Sequence, residues 1–247
     1  MTGYIALRAH SLLRGAALAG ALIAALMTPA SAQSRVFPFP FETLSLPNGL
    51  RAYLIKAGAP GQIAYITFVR TGSRDEIEEG KSGFAHFFEH MMFRGTEKYP
   101  NYDGETTKMG AFRNASTWPD QTAYYLVAGT EYLEKIMDIE SDRFQNLRYA
   151  EPDFRTEAGA ILGEYQNGAR EPARFLNEKV REIAFTTHPY RHTTIGFEKD
   201  VRAMPEAYEY SKSFYQRFYR PENCVLVIAG DFDSAKAKSL LQKYYAS

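Results

Sequence analysis

Apolar and polar positions alternate with period two over residues 41–46 and 50–56, on either side of Pro47-Asn48-Gly49. That pattern predicts a β-hairpin closed by an Asn-Gly turn. Residues 62–69 read as a third strand, residues 111–117 and 122–128 as a strand pair around Trp118-Pro119-Asp120, and residues 225–229 as a last strand before a Gly230-Asp231 turn. Helical spacing covers most of the remainder. It predicts helices over residues 82–93, over 102–109 with Gly110 as the stop, and from an N-cap at Thr130 to about residue 144. Further helices are expected from near Pro152 to 168, over 173–185 behind Pro172, from Pro205 to about 219, and over 234–245. Residues 36–40 form an extended lead-in, 71–81 are polar and 188–196 are loop-like. Strand pairs mixed with helices, without strict βαβ alternation, predict an α+β domain with a mainly antiparallel sheet packed with helices.

The N-terminus has a different pattern. Arg8 and Arg14 precede an uncharged apolar run over residues 15–27, and Ala30-Ser31-Ala32 fits a small-residue cleavage site. Residues 1–32 are therefore expected to be a secretory signal peptide, leaving 33–247 as one domain. The apolar run is too short to span a bilayer, and no second run is long enough, so no membrane span is expected after cleavage. This leader implies secretion, with a bacterial periplasm as the expected compartment. Basic and acidic residues balance at 29 each with no long basic cluster, which argues against nucleic acid as a partner. Cys224 is the single cysteine, so no intrachain disulfide can form, and its apolar surroundings mark it as a buried hydrophobe.

The candidate chemistry lies in His86-Phe87-Phe88-Glu89-His90. On a helix, residues four apart share a face, so His86 and His90 can present two imidazole nitrogens to one metal. Glu89 lies within reach of a metal-bound water as a general base. The pattern HxxEH is the inverted form of the HExxH zinc-protease motif. A catalytic zinc needs a third protein ligand. The helix behind Pro152 carries Glu157 and Glu164, seven apart and on one face, but spacing alone does not choose among Glu151, Glu157, Glu164 and Glu171.

Longer stretches resolve the choice by resemblance. GSRDE and GFAHFFEHMMFRGTEKYP, then GAFRNASTWPDQTAYY, FRTEAGAILGEYQNG, HPYRHTTIG and NCVLVIAGDF together resemble the pitrilysin/insulinase (M16) family of zinc metallopeptidases. The resemblance runs from about Leu46 to Asp231. It implies an M16-type domain, like those of mitochondrial processing peptidase, with one zinc ion per chain bound by His86, His90 and Glu164. It makes Glu89 the general base and Glu157 a carboxylate that orients a ligand histidine. Asn114 and Ala115 would lie on the strand that pairs with the backbone of an extended or unfolded peptide substrate. Family members are built from paired homologous domains, and this chain ends near the expected end of the first, so a second M16-type domain or subunit is an expected partner. Arg94 stands where lysine is common in the family.

The expected function is thus a secreted zinc endopeptidase domain acting on extended peptides. The alternative is a non-catalytic peptide-binding subunit of an oligomeric M16-type peptidase. A third possibility is a hydrolase using the same motif on a small thioether. Three other features carry less. His188 and His192 are four apart, but Pro189 argues against a shared helical face. Tyr208, Tyr210, Phe214, Tyr215, Phe218 and Tyr219 read as a core face with polar tips. Asp75, Glu76, Glu78 and Glu79 read as a solvated acidic loop.

Overall fold

Six strands form one sheet in the order β1-β2-β6-β3-β5-β4 in a computed structural model that describes Phe37 and residues 39–246. The expected signal peptide, residues 1–32, lies outside the described residues. The strands are β1 (Phe41–Ser45), β2 (Arg51–Lys56), β3 (Gln62–Val69), β4 (Phe112–Thr117), β5 (Thr122–Gly129) and β6 (Cys224–Gly230). β1 and β2 are the expected hairpin, and its turn places Gly49 at φ 91°, where a side chain would be strained. Every neighbouring pair is antiparallel except β2 and β6, which run parallel. The sheet is α+β in character and mainly antiparallel, as the sequence pattern predicts.

Alternation along the strands sorts their side chains. Ile63, Tyr65 and Val69 of β3 join Cys224, Leu226 and Ile228 of β6 in one core. Their neighbours on the other face, Ile66, Phe68, Tyr125, Val127, Val225 and Val227, stay outside that core and are only half-buried. The pairing registers place Tyr53, Val227, Ile66 and Tyr125 in one row across that face.

The helices are α1 (Phe84–Met91), α2 (Tyr102–Lys108), α3 (Leu133–Asn146), α4 (Glu151–Gly168), α5 (Pro172–Ala184), α6 (Glu198–Ala203), α7 (Tyr208–Phe218) and α8 (Ser234–Tyr245). Phe84, Phe87, Phe88 and Met91 repeat at helical spacing and bury one face of α1. Phe88 stacks on Phe214 of α7 with ring centroids 5.4 Å apart, so the aromatic run on α7 is core.

Besides the short helix α6, which the sequence pattern does not predict, two details differ from the sequence reading. Thr130 does not cap a helix: a 3-10 turn, Thr130–Tyr132, precedes α3, and the Thr130 hydroxyl donates to the Asp231 carbonyl. The acidic run is not a uniformly solvated loop, because Glu76 is buried. Its carboxylate accepts from Gly83 N at 2.8 Å and Ala85 N at 2.7 Å, the open amides at the start of α1. No side chain of the N-cap residue serves α1, so Glu76 does that work from the preceding loop, where burial pushes its pKa up to about 8 in spite of these two hydrogen bonds. Gly83 sits at φ 94° with Ile195 O 2.6 Å from where a Cβ would lie. At the far end, buried Arg143 donates to Met92 O at 3.2 Å while Glu140 holds its guanidinium. The helix that carries the motif is thus fixed at both ends by hydrogen bonds with buried polar side chains, Glu76 at its start and Arg143 beyond its end.

Candidate metal centre

His86 and His90 face the same side of α1, with ring centroids 4.8 Å apart and planes at 83°. Glu164 reaches them from α4, its Oε2 lying 3.6 Å from the Nε2 atom of each ring. Candidate ligand atoms of these three residues all lie within 4.8 Å of one another. Tetrahedral zinc bonds of about 2.1 Å separate neighbouring ligand atoms by about 3.4 Å, so the spacing fits a single Zn²⁺. Two imidazoles and one carboxylate are also a ligand set typical of a catalytic zinc with an open position. The other carboxylates left open by the sequence go elsewhere. Glu151 pairs with Arg155 at 2.9 Å and Glu171 with Arg174 at 3.5 Å.

Glu157 lies on α4 two turns before Glu164, with its Oε1 2.9 Å from His90 Nδ1. With the proton on Nδ1, the Nε2 lone pair of His90 is left for a metal. Arg94 donates to the other oxygen of Glu157, from Nε at 3.0 Å and Nη2 at 2.8 Å. The hydrogen bond from His90 holds Glu157 below the usual carboxylate range against its burial, with Arg94 adding to the effect. Glu89 accepts a 2.6 Å hydrogen bond from the Thr117 hydroxyl at the end of β4, and its burial raises its pKa despite that bond. Thr117 was not singled out by sequence, and Glu76 was read only as part of a solvated acidic run. Both stand in the stretches that carry the resemblance, but only the fold shows what each touches.

Asn114 and Ala115 lie on β4, an edge strand of the sheet among the described residues. Asn114 is exposed and Ala115 buried. The Asn114 carboxamide accepts from Ala115 N at 2.9 Å, so an added strand that used this amide would first displace that side chain. His188 and His192 do not share a helical face. Buried His192 has its Nδ1 2.9 Å from Thr193 O, and a 3-10 turn, Pro189–Arg191, separates the pair.

The two histidines titrate in opposite senses. Burial, then the neighbouring His90, pushes His86 down to about 3. Burial also acts to lower His90, but the hydrogen bond and charge of Glu157, with the charges of Glu164 and Glu89, raise it overall. In mild acid a metal bound at this centre would therefore displace one histidine proton, from His90, and none from His86. Below the His90 titration, zinc affinity is expected to fall about tenfold per pH unit, the slope of one proton. Competition titrations from about pH 5 to 6.5 check this, and a two-proton slope would contradict it.

The family model described as insulinase (peptidase family M16) matches residues 56–197, and one described as the peptidase M16 inactive domain matches residues 207–247. The chain is 29% identical over 210 residues to the zinc protease PqqE of Helicobacter pylori, covering 83% of this chain and 47% of that protein. It is 30% identical over 204 residues to the mitochondrial-processing peptidase subunit beta of Caenorhabditis elegans, covering 81% and 43%. Among solved structures, a protease from Helicobacter pylori superposes with a TM-score of 0.81 at 28% identity, over 85% of this chain and 50% of that one. The periplasmic protease PqqL from Escherichia coli superposes with a TM-score of 0.75 at 27% identity, over 85% and 24%. The chain thus spans about half the length of these relatives, or less.

Proposed function

Because the chain belongs to the insulinase (M16) family of peptidases, we propose that it is a zinc-dependent endopeptidase domain hydrolysing extended or unfolded peptides. The observation that carries this reading is the convergence of His86, His90 and Glu164 on one centre with Glu89 beside it. Zinc held by those three residues would supply Lewis acidity to the scissile carbonyl and to the attacking water. Glu89 takes the proton of that water and returns it to the leaving amine. Its buried setting makes it a stronger base than a solvated glutamate, and the Thr117 hydroxyl holds its Oε2 in place. Glu157 keeps His90 in the tautomer that leaves Nε2 free. The open edge of β4, with Asn114 and Ala115, takes the substrate backbone as an added strand once the Asn114 carboxamide swings away.

Two observations support a second M16-type domain or subunit as partner. The relatives are about twice as long as the matched stretch or longer. The half-buried apolar face around Ile66, Phe68, Val225 and Val227 is of the kind that a packed neighbour covers. The apolar leader supports export, one relative is described as periplasmic, and no helix among the described residues is long and apolar enough to cross a membrane.

The test is cleavage of a quenched, unstructured peptide by the chain, alone and with a homologous second half, with and without a zinc chelator. Chelator-sensitive cleavage restored by zinc is expected. Peptide binding that ignores the chelator, with no cleavage in either arrangement, would favour a binding subunit instead.

A further inference from the structure

Arg94 lies on the turn that extends α1, its amide donating to Met91 O at 3.0 Å. It therefore continues the spacing of the two histidines, at positions 86, 90 and 94. Two carboxylates of α4, seven residues apart, interleave with these three positions. Glu164 meets residues 86 and 90, and Glu157 meets residues 90 and 94. The last rung of this ladder is cationic rather than imidazole. We propose that Arg94 is a positioning residue of the metal centre, fixing the Glu157 carboxylate and, through it, the ring of His90. The proposal rests on the zinc reading above.

The two oxygens of Glu157 have separate partners. Oε1 meets His90 Nδ1 at 2.9 Å, and Oε2 receives both Nε at 3.0 Å and Nη2 at 2.8 Å from Arg94. Two donors on one oxygen restrain rotation about the terminal bond of the glutamate, and that restraint aims Oε1 at the imidazole. The ring plane of His90, and so the direction of its Nε2 lone pair, follows from where Oε1 sits. A carboxylate with only 12% of its side chain exposed also needs a cation to keep its charge. An amine in place of the guanidinium would bring one nitrogen instead of two fixed in a plane, so lysine at this position would restrain Glu157 less. Arg94 is itself partly exposed, and an ordinary ion pair of that kind contributes little. The distinction lies in what its partner touches: Glu157 is hydrogen-bonded to a candidate ligand.

The experiment measures zinc affinity of the purified chain by competition with a chromophoric chelator. It compares wild type, Arg94→Met, Arg94→Lys, Glu157→Gln and the Arg94→Met/Glu157→Gln double variant. Thermal melts of the zinc-free forms, and visible absorption after cobalt substitution, run in parallel. Arg94→Met is expected to weaken zinc about tenfold, the low end for an outer partner of a ligand histidine, and to alter the cobalt bands. Arg94→Lys is expected to recover part of that loss. In the Glu157→Gln background Arg94→Met should cost little more, because its effect is routed through that carboxylate. Wild-type affinity and cobalt spectrum in Arg94→Met would overturn the proposal alone, as would a loss that adds in full to that of Glu157→Gln. A wild-type chain that takes up no zinc would overturn the zinc reading and this proposal together.

Discussion

Replacing His90 with Ala is expected to lower zinc affinity by about 10²–10⁴-fold while leaving the fold in place. Structural zinc sites are worth roughly 10–16 kcal/mol in all, so one ligand of three carries about 3–5 kcal/mol, and that energy converts to the stated range. His90 is the better position to test because its side chain is 29% exposed against 11% for His86. Alanine is a strong helix former, and Arg94 remains to partner Glu157 after the ring is gone. His86→Ala should lose zinc as well, but it would also empty a buried space and confuse a metal effect with a packing effect. A competition titration reads the affinity, and a melt of the zinc-free protein reads the fold. Zinc held within a factor of about ten of wild type, with the fold intact, would remove His90 from the ligand set.

How far these residues were legible in the sequence depends on the distance over which each acts. The hairpin at Pro47-Asn48-Gly49, strand β3 and helix α8 follow from local alternation and turn chemistry, and the structure places them where the pattern does. The pairing of β2 with β6 was not legible, because it joins residues far apart in sequence in a parallel register that no local signal encodes. Helix α6 was missed for a related reason: six residues, with Glu198, Asp200 and Arg202 among them, give too little periodicity to read. Glu76 was misread because a carboxylate among other acids looks solvated until the start of α1 is folded against it. The placing of Glu164 beside the histidines shows both cases at once. Helical spacing put Glu157 and Glu164 on one face of α4 without choosing among the four carboxylates; the family resemblance picked Glu164, and the packing of α4 on α1 brings it to the histidines while Glu151 and Glu171 pair elsewhere. Thr117 and Arg94 act on Glu89 and Glu157 rather than on a metal, and a motif search based on ligand types does not reach them.

Replacing Glu89 with Gln in the cleavage-competent assembly is expected to lower kcat by about 10²–10⁴-fold with zinc affinity close to wild type. The size follows from what a positioned general base contributes, and the selectivity follows from geometry. Glu89 is not one of the three residues that converge on the candidate zinc, and Gln matches it in volume and can still accept from the Thr117 hydroxyl. What Gln lacks is a site for the proton. Burial raises the pKa of Glu89 above its ordinary value, so the sign of the pH dependence is set: the base is lost as pH falls through that raised pKa, and cleavage declines on the acid side. Thr117→Val should move that decline to higher pH, because it removes a hydrogen bond that lowers the pKa. Steady-state kinetics on a quenched peptide, paired with a zinc competition titration of the same sample, separate the possible causes. Lost cleavage with zinc retained identifies Glu89 as the base. Loss of both would mean that Gln had disturbed the metal centre, and near-normal cleavage would mean that another group takes the proton.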